Sequence, residues 1–312
     1  MIGIFGGTGF IGRNLVEFLT AKGNTVRSFG RRASSLKEND TVHIDFSDPL
    51  SYSNYLNELD TVILLVSASV PSTFPNNIAK EVEENVLPYA RFLKALEGKP
   101  VQHLVYLSSG GAVYGSPHTV PVNETHPRNP ISAYGCAKLM IEEAIRTWSL
   151  RSRWSYTILR PSNPIGKYQA VDRGQGLVAA AVQAAITGSS MEIWGSGDTL
   201  RDYLHVLDLC HAIELATSIG RGKNEIYNVC MGSSVSINQV IDLCEKALKK
   251  RINVIYTEQK SYLVKNIVMD CSRIRSDLNW HTSFTVRDGI DDFVSYCIDL
   301  NSNMALSTRP DA

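Results

Sequence analysis

The chain opens with Met1-Ile-Gly-Ile-Phe-Gly-Gly-Thr-Gly-Phe-Ile-Gly12, an apolar run followed at once by a glycine-rich turn. The run predicts a buried strand over Ile2–Phe5, and the spacing of the residues after the turn predicts a helix. Gly6 allows a tight turn, Gly9 lets backbone approach a pyrophosphate, and Gly12 lets helix pack closely on strand. The free N–H groups at the helix start favour phosphate. We therefore predict a dinucleotide-binding turn, with cofactor contacts at Gly6, Thr8, Gly9, Phe10, Ile11 and Gly12.

Outward from this turn, apolar runs and helical patterns alternate through the first 110 residues. The runs predict further strands over 25–29, 41–45, 61–66 and 101–108, and the helical patterns cover 13–22 and 77–96. Strands of continuous apolar character separated by helices are typical of a parallel sheet that is covered on both faces. We predict an α/β fold with a doubly wound parallel sheet, to which strands near 156–159 and 226–229 return.

The regular alternation ends near residue 160 and predicts two domains. Residues 1–160 form the dinucleotide-binding domain in this interpretation, and residues 161–312 form a smaller region that mainly binds substrate. The second region is predicted to contain helices over 177–186 and 237–250, followed by an irregular tail.

The composition excludes several classes of protein. The 312 residues carry 31 Lys+Arg and 31 Asp+Glu, so no basic excess favours nucleic acid or an anionic membrane. The longest apolar run, 61–70, is shorter than the ~20 residues of a membrane-spanning helix, and no signal peptide is recognised. The six cysteines form no CxxC motif and lack metal-ligand spacing. We expect a cytoplasmic protein with reduced cysteines, no metal site and neither nucleic acid nor membrane as partner.

The end of the second predicted strand bears on the type of dinucleotide. An acidic residue there would accept hydrogen bonds from the adenine ribose and select NAD. The strand instead ends in Ser28-Phe-Gly-Arg-Arg32, which places Arg31 and Arg32 where a 2′-phosphate would lie. We therefore expect NADP(H) as the cofactor. NAD(H) stays possible, because both arginines can equally be solvated loop residues.

A tyrosine stands four residues before a lysine at two places, Tyr134…Lys138 and Tyr256…Lys260. The first pair opens an amphipathic helix, where residues at i and i+4 share one face. It also follows a predicted strand that ends in Ser108-Ser-Gly-Gly-Ala-Val-Tyr-Gly115. The carboxyl end of a parallel strand is where ligands bind in such sheets. This context favours Tyr134 and Lys138 as the functional pair.

These motifs, together with Arg160-Pro-Ser-Asn-Pro164 and Arg201-Asp-Tyr-Leu-His205, appear in a fixed order along nearly the whole chain. The ordered set resembles the extended short-chain dehydrogenase/reductases that act on nucleotide sugars, such as the UDP-galactose 4-epimerase group. The resemblance implies that Tyr134 exchanges a proton with the sugar 4-oxygen while hydride moves between C4 and the nicotinamide. It implies that Lys138 supports this tyrosine and holds the nicotinamide ribose.

One position departs from the family pattern. The family usually has a hydroxyl residue four positions before the tyrosine of Val-Tyr-Gly, and Gly110 stands there in this chain. The hydroxyl role must then pass to another donor. We expect Ser109 to take it, with Ser108 second, although a backbone group or a water molecule could also supply the hydrogen bond.

The resemblance also implies further contacts. Asn163 and Arg201 match family residues that bind the substrate diphosphate, and Lys260 is the nearest counterpart of a later arginine. Additional cofactor contacts are implied at the ends of the third and fourth strands and at the start of the following helical region, namely Asp45, Phe46, Val66, Ser67 and Asn85.

A 4,6-dehydratase is disfavoured, because Gly111 and Ala112 replace the acidic pair that such enzymes need. Three other roles remain open. The first hypothesis is NADPH-dependent reduction of a nucleotide-linked 4-keto-6-deoxyhexose, with a dTDP-sugar favoured, for polysaccharide or O-antigen precursors. The second is a 4-epimerase of the UDP-glucose/galactose type with tightly bound NAD. A non-catalytic nucleotide-binding protein is the third.

The family resemblance also implies a homodimer that pairs through helices 77–96 and 134–148.

Overall fold

A computed structural model describes residues 1–31, 41–171, 176–218, 223–258 and 267–307. The strands in these ranges are β1 (Ile2–Phe5), β2 (Val26–Gly30), β3 (Thr41–His43), β4 (Thr61–Leu64), β5 (His103–Leu107), β6 (Ser155–Pro161), β7 (Asn163–Ile165), β8 (Ser190–Trp194), β9 (Leu200–Arg201), β10 (Tyr203–His205), β11 (Glu225–Val229), β12 (Val235–Ser236) and β13 (Asn253–Thr257).

The helices follow the strands on both faces of the sheet. They are α1 (Phe10–Ala21), α2 (Ile78–Glu81), α3 (Leu87–Ala95), α4 (Gly110–Val113), α5 (Ala133–Ser149), α6 (Leu177–Thr187), α7 (Val206–Ser218), α8 (Ile237–Leu248), α9 (Ser272–Leu278) and α10 (Val286–Ser307). A π-helical segment, Val82–Val86, joins α2 to α3. None of these helices combines the length and apolar character that a membrane span requires.

Seven parallel strands form the central sheet in the order β11-β6-β5-β4-β1-β2-β3. Strands β2 and β3 follow β1 on one side of it. The chain then crosses to the other side of β1, where β4, β5, β6 and β11 are added in turn. The strand order reverses between β1 and β4, and a ligand crevice forms outside the strand ends at such a reversal. The doubly wound sheet is confirmed. Both later strands lie in it, because β6 pairs with β5 and β11 pairs with β6.

Alternate residues of the central strands enter two separate apolar cores. Ile4 packs on one face with Leu15 and Leu19 of α1, whereas its neighbour Phe5 packs on the other face with Phe92 of α3. This alternation is what a strand covered on both faces requires. Burial of each such side chain contributes about 1.5–3 kcal/mol. The two cores fix the carboxyl edge of the sheet, where the candidate site lies.

A third core is built from residues between Ile165 and Cys297. Small sheets accompany it, in which β13 pairs with β8, β7 with β10 and β12 with β9. The domain boundary near residue 160 stays a prediction. The prediction of an irregular tail was wrong, since β13, α9 and α10 lie in that part of the chain. The tail is helical because Ile290, Phe293, Val294 and Cys297 follow a helical spacing and pack into this core.

Candidate active site

The glycine turn joins β1 to α1 in a conformation that other residues could not adopt. Gly6 has a φ of +89°, and its carbonyl accepts a hydrogen bond of 3.0 Å from the Gly9 N–H. A Cβ at Gly12 would lie 2.2 Å from the Gly6 oxygen, so a side chain there would push α1 off the turn. The sequence therefore needs glycine at these positions to bring the helix start against the strand end.

The start of α1 fits the diphosphate of a dinucleotide. The helix begins after Gly9, which supplies no capping side chain, and the first N–H groups of a helix lack intrahelical partners. Among the described residues, a Cβ built on Gly9 would meet only the Gly6 oxygen within 4 Å, at 3.3 Å, so none of them fills the space above the turn. Phosphate oxygens would accept from these N–H groups. The predicted residues from Gly6 to Gly12 could therefore bind the diphosphate of a dinucleotide together.

The residues predicted for the adenosine end have different surroundings. Arg31 is exposed just after β2, and Arg32 lies outside the described residues. Asp45 is exposed, and hydrogen bonds from the Ser47 hydroxyl and N–H hold the pKa of its carboxyl below the usual value. Arg31 adds to this lowering. The ring of Phe46 instead packs in the second core, so its side chain offers little surface to adenine.

Two side chains of the following helical region hold the backbone of the loop after β4 by hydrogen bonds. Asn85 lies in the π-helical segment, where its Oδ1 accepts from the Ala68 N–H at 2.9 Å. The Tyr89 hydroxyl donates to the Val66 carbonyl at 2.7 Å. The predicted cofactor residues Val66 and Ser67 therefore lie on a backbone that Asn85 and Tyr89 fix beside the strand reversal.

The structure brings Tyr134, Lys138 and Ser109 together at the end of β5. Ser132 caps α5 by accepting from the Gly135 N–H, which places Tyr134 in the first turn. The Lys138 Nζ lies 5.6 Å from the centre of the Tyr134 ring and donates to the Leu107 carbonyl at 3.2 Å. The other pair has no such setting, because Tyr256 is 53% exposed and Lys260 lies outside the described residues.

Burial shifts the protonation of both residues of the pair toward the neutral form. Burial raises the pKa of Tyr134, the charge of Glu81 raises it further, and a hydrogen bond with Ser109 lowers it. Burial lowers the pKa of Lys138 to about 8, against the opposing charges of Glu81 and Glu142. The Lys138 pKa thus lies near neutral pH, as is typical of functional sites, whereas the Tyr134 phenol is kept protonated.

The two serines at the end of β5 point to different partners. Ser109 is half-buried and lies close enough to Tyr134 for its hydroxyl to lower the pKa of that phenol. Ser108 is buried, and its hydroxyl donates to Glu142 Oε1 at 2.5 Å. Ser109 therefore lies beside Tyr134, whereas Ser108 belongs to a hydrogen-bond network behind it.

That network includes residues that sequence reasoning missed as part of the site. Arg160 donates to both oxygens of Glu142, at 3.0 and 2.6 Å, and to the Tyr114 hydroxyl at 2.8 Å. Tyr114 in turn donates to Asn228 Oδ1. Glu142 lies four residues after Lys138, so its position on the same helical face was the available signal. The network fixes α5 against β6 and β11.

Two of the three predicted substrate residues, Asn163 and Arg201, line one cavity of about 200 Å³, together with Ile165, Tyr203 and Ile237. Asn163 donates to the Asp202 carbonyl at 2.8 Å, and Arg201 donates to the Leu200 carbonyl at 2.9 Å. Burial lowers the pKa of the Arg201 guanidinium. A guanidinium and an amide beside a cavity suit an anionic ligand. This cavity brings Asn163 and Arg201 together.

Comparison with known proteins agrees with this geometry. The model of the NAD dependent epimerase/dehydratase family matches residues 2–230. The "Putative UDP-glucose 4-epimerase" of Methanocaldococcus jannaschii is 29% identical over 302 residues, which cover 95% of this chain and 98% of that protein. A dTDP-4-dehydro-6-deoxyglucose reductase of Escherichia coli is 27% identical over 303 residues, which cover 93% and 95%.

A solved structure extends the similarity to three dimensions. The UDP-glucose 4-epimerase of Thermotoga maritima, determined with UDP-glucose, is 25% identical and has a TM-score of 0.89. The alignment covers 96% of this chain and 99% of that one. The resemblance read from the motifs is thereby confirmed. The chain belongs to the NAD dependent epimerase/dehydratase family and is an enzyme of the short-chain dehydrogenase/reductase type.

Proposed function

We propose that the enzyme is a nucleotide-sugar 4-epimerase that inverts C4 of a UDP-hexose, with NAD as its resident cofactor. The observation that carries this proposal is the meeting of Tyr134, Lys138 and Ser109 at the end of β5, next to the strand β4 at which the sheet order reverses. The similarity to 4-epimerases over nearly full length supports it. This reverses the order of preference drawn from the sequence, which placed a reductase first.

The preference for NAD over NADP rests on the same comparison, since the matching family is NAD dependent. Arg31, one of the two arginines from which NADP was expected, is an exposed residue just after β2, as a solvated loop arginine would be.

Each residue of the proposed centre has a defined task. A nicotinamide dinucleotide held by the glycine turn would supply the acceptor, and then the donor, of the C4 hydride. Tyr134 takes the proton of the 4-hydroxyl and later returns it, while Ser109 orients the tyrosine oxygen through its hydrogen bond. Lys138 stabilises the phenolate by its charge from beneath the ring. Arg201 and Asn163 hold the substrate diphosphate at the neighbouring cavity.

Reduction of a dTDP-4-keto-6-deoxyhexose with NADPH is the second candidate. The specific observation in its favour is the 27% identity with the Escherichia coli reductase, over almost the full length of both chains. The same tyrosine would then donate its proton once, to the new 4-hydroxyl, and the oxidised cofactor would leave.

One pair of incubations separates the two reactions. The purified enzyme is mixed with UDP-galactose without added cofactor, and separately with dTDP-4-keto-6-deoxyglucose and NADPH. We expect UDP-glucose to form in the first mixture, as followed by chromatography, and the NADPH absorbance to stay constant in the second. NADPH oxidation in the second mixture, with no interconversion in the first, would establish the reductase instead.

We also infer that the enzyme is a homodimer that pairs through α3 and α5. Apolar side chains are exposed along the helices predicted to pair, among them Leu87 at 42% and Met140 at 39%. Met140→Glu would place a charge in that interface and is expected to yield monomers by light scattering. Ile186→Glu, at a 43% exposed residue on α6, is the matched control and should leave the mass unchanged.

A further inference from the structure

A buried acidic residue, Glu81, lies behind the proposed catalytic pair. Its side chain is fully buried at the end of α2. Its Oε2 accepts hydrogen bonds from the Ser69 hydroxyl at 2.8 Å and from the Asn85 amide at 2.7 Å. Its Oε1 is also buried, and no hydrogen-bond partner for it exists within the described ranges. Leaving such an oxygen without a partner is costly, and this group calls for a physical reason.

Lys138 lies on the neighbouring helix, because α2 packs against α5. The Lys138 side chain is buried, with 6% of the residue exposed, and a buried cation requires a compensating charge. The acidic groups that act on it are Glu81, from α2, and Glu142, from its own helix, and neither forms a direct ion pair with its Nζ. Glu142 is already paired with Arg160 through two hydrogen bonds. Glu81 forms no ion pair with any arginine in the described part of the chain, so its charge is left to balance Lys138.

The other titratable groups around the pair are tyrosines. The Lys138 Nζ lies 5.3 Å from the centre of the Tyr106 ring, and Tyr134 acts electrostatically on both Tyr89 and Tyr106. Burial raises the pKa of these two tyrosines well above neutrality, so they stay uncharged at working pH. Glu81 is therefore the group whose charge sets the local balance.

We propose that Glu81 is a positioning residue for the reaction inferred above, whose buried carboxylate is the counter-charge that keeps Lys138 cationic beside Tyr134. Its hydrogen bonds to Ser69 and Asn85 also tie this charge to the loop after β4. The cofactor side and the proton-transfer side of the centre thus share one buried anion. The inference rests on the proposed function for its catalytic meaning, but its electrostatic content stands alone.

The sign of the effect is fixed by the charges. A negative Glu81 raises the pKa of Lys138 and of Tyr134. Because the pKa of Lys138 is about 8, removal of the Glu81 charge would bring the titration toward neutral pH, where the lysine would lose its proton. The limb of the pH–rate profile that reports loss of the Lys138 proton should then move to lower pH. A residue with a merely structural role would lower activity without moving this limb.

The test is Glu81→Gln, which keeps the shape of the side chain and removes its charge. Lys138 is titrated by NMR in protein labelled at the lysine side-chain carbons, with Lys138→Met to assign its signal. We expect the Lys138 pKa to fall by about one pH unit. Glu83→Gln, on the exposed face of the following turn, is the matched control and should leave that titration unchanged. An unchanged Lys138 titration in folded Glu81→Gln would overturn the proposal.

If Glu81→Gln does not fold, Glu81→Asp decides, because it keeps the charge but withdraws it by one methylene. A fall in the Lys138 pKa of less than about one pH unit supports the proposal, and an unchanged Lys138 pKa contradicts it. The NMR titration needs no substrate, so it remains informative if neither sugar is converted. Conversely, normal epimerase turnover with an unmoved Lys138 titration would reject this inference and leave the proposed function intact.

Discussion

Met269 fills the space beside Gly110 so closely that a Cβ built on the glycine would lie 2.1 Å from the Met269 Sδ atom. Met269 is 2% exposed and is held next to Val122 by a parallel β-bridge. Gly110 stands where the family pattern has a hydroxyl residue. In this chain the thioether occupies that space, and the hydroxyl that contacts Tyr134 comes from Ser109, one residue earlier.

This packing predicts that restoring the family residue is harmful. Gly110→Ser would force its side chain into Met269, and overpacking of this kind costs about 1–3 kcal/mol. We expect a lower free energy of unfolding in urea. Met269→Ala in the same chain opens the space, so the two substitutions should be clearly less harmful together than their separate effects predict. Additive losses in the double variant would show that the contact is not the cause.

The two neighbouring serines should separate activity from stability. Ser109→Ala removes the hydroxyl that orients Tyr134, so we expect kcat to fall about 10- to 100-fold with little change in Tm. Ser108→Ala instead leaves the buried Glu142 with one donor fewer, at a cost of about 1–3 kcal/mol of stability. Steady-state kinetics and thermal unfolding of both variants provide the check. A Ser109→Ala enzyme with full kcat would remove this serine from the reaction.

Asp202 should give stability a characteristic dependence on pH. Burial raises its pKa from 3.8 to about 6, although the Met231 and Gly232 N–H groups donate to its carboxylate and oppose the rise. The folded state thus binds this proton more tightly than the unfolded state. Its contribution to stability is complete below about pH 4 and is lost as the pH rises through 6.

Asp202→Asn removes that dependence and provides the measurement. The free energy of unfolding of the natural protein, relative to the variant, should decline between pH 4 and pH 6 and then level off. Urea titrations at several pH values across this range measure it. A constant difference, or one that grows with pH, would mean that burial does not dominate at this carboxyl.

Much of the fold could be predicted because its signals are local. The glycine turn and the continuous apolar strands identify a covered parallel sheet, and β1 lies at the predicted residues. The helix spacing of Tyr134 and Lys138 likewise places both on one face of α5. The prediction of an irregular tail failed. Helix α10 contributes four residues to the third core, but many polar residues separate them, so the helical spacing is recognised only once the core is known.

The rest of the site depends on contacts between distant parts of the chain. Glu81 lies 53 positions before Tyr134, and nothing in its own segment indicates that α2 packs on α5. The closure of Gly110 by Met269 joins residues still farther apart. The choice between Ser108 and Ser109 required knowing which hydroxyl Glu142 takes. The predictions for Arg32 and Lys260 lie outside the described residues.

The most direct test follows the hydrogen at C4. The enzyme is given UDP-galactose that carries deuterium at C4, and the UDP-glucose formed is examined by mass spectrometry, with Tyr134→Phe in parallel. We predict that the product keeps its deuterium, because the same hydrogen returns to C4, and that Tyr134→Phe loses at least about 100-fold in rate. Loss of deuterium to water, or undiminished turnover in Tyr134→Phe, would contradict epimerisation through Tyr134.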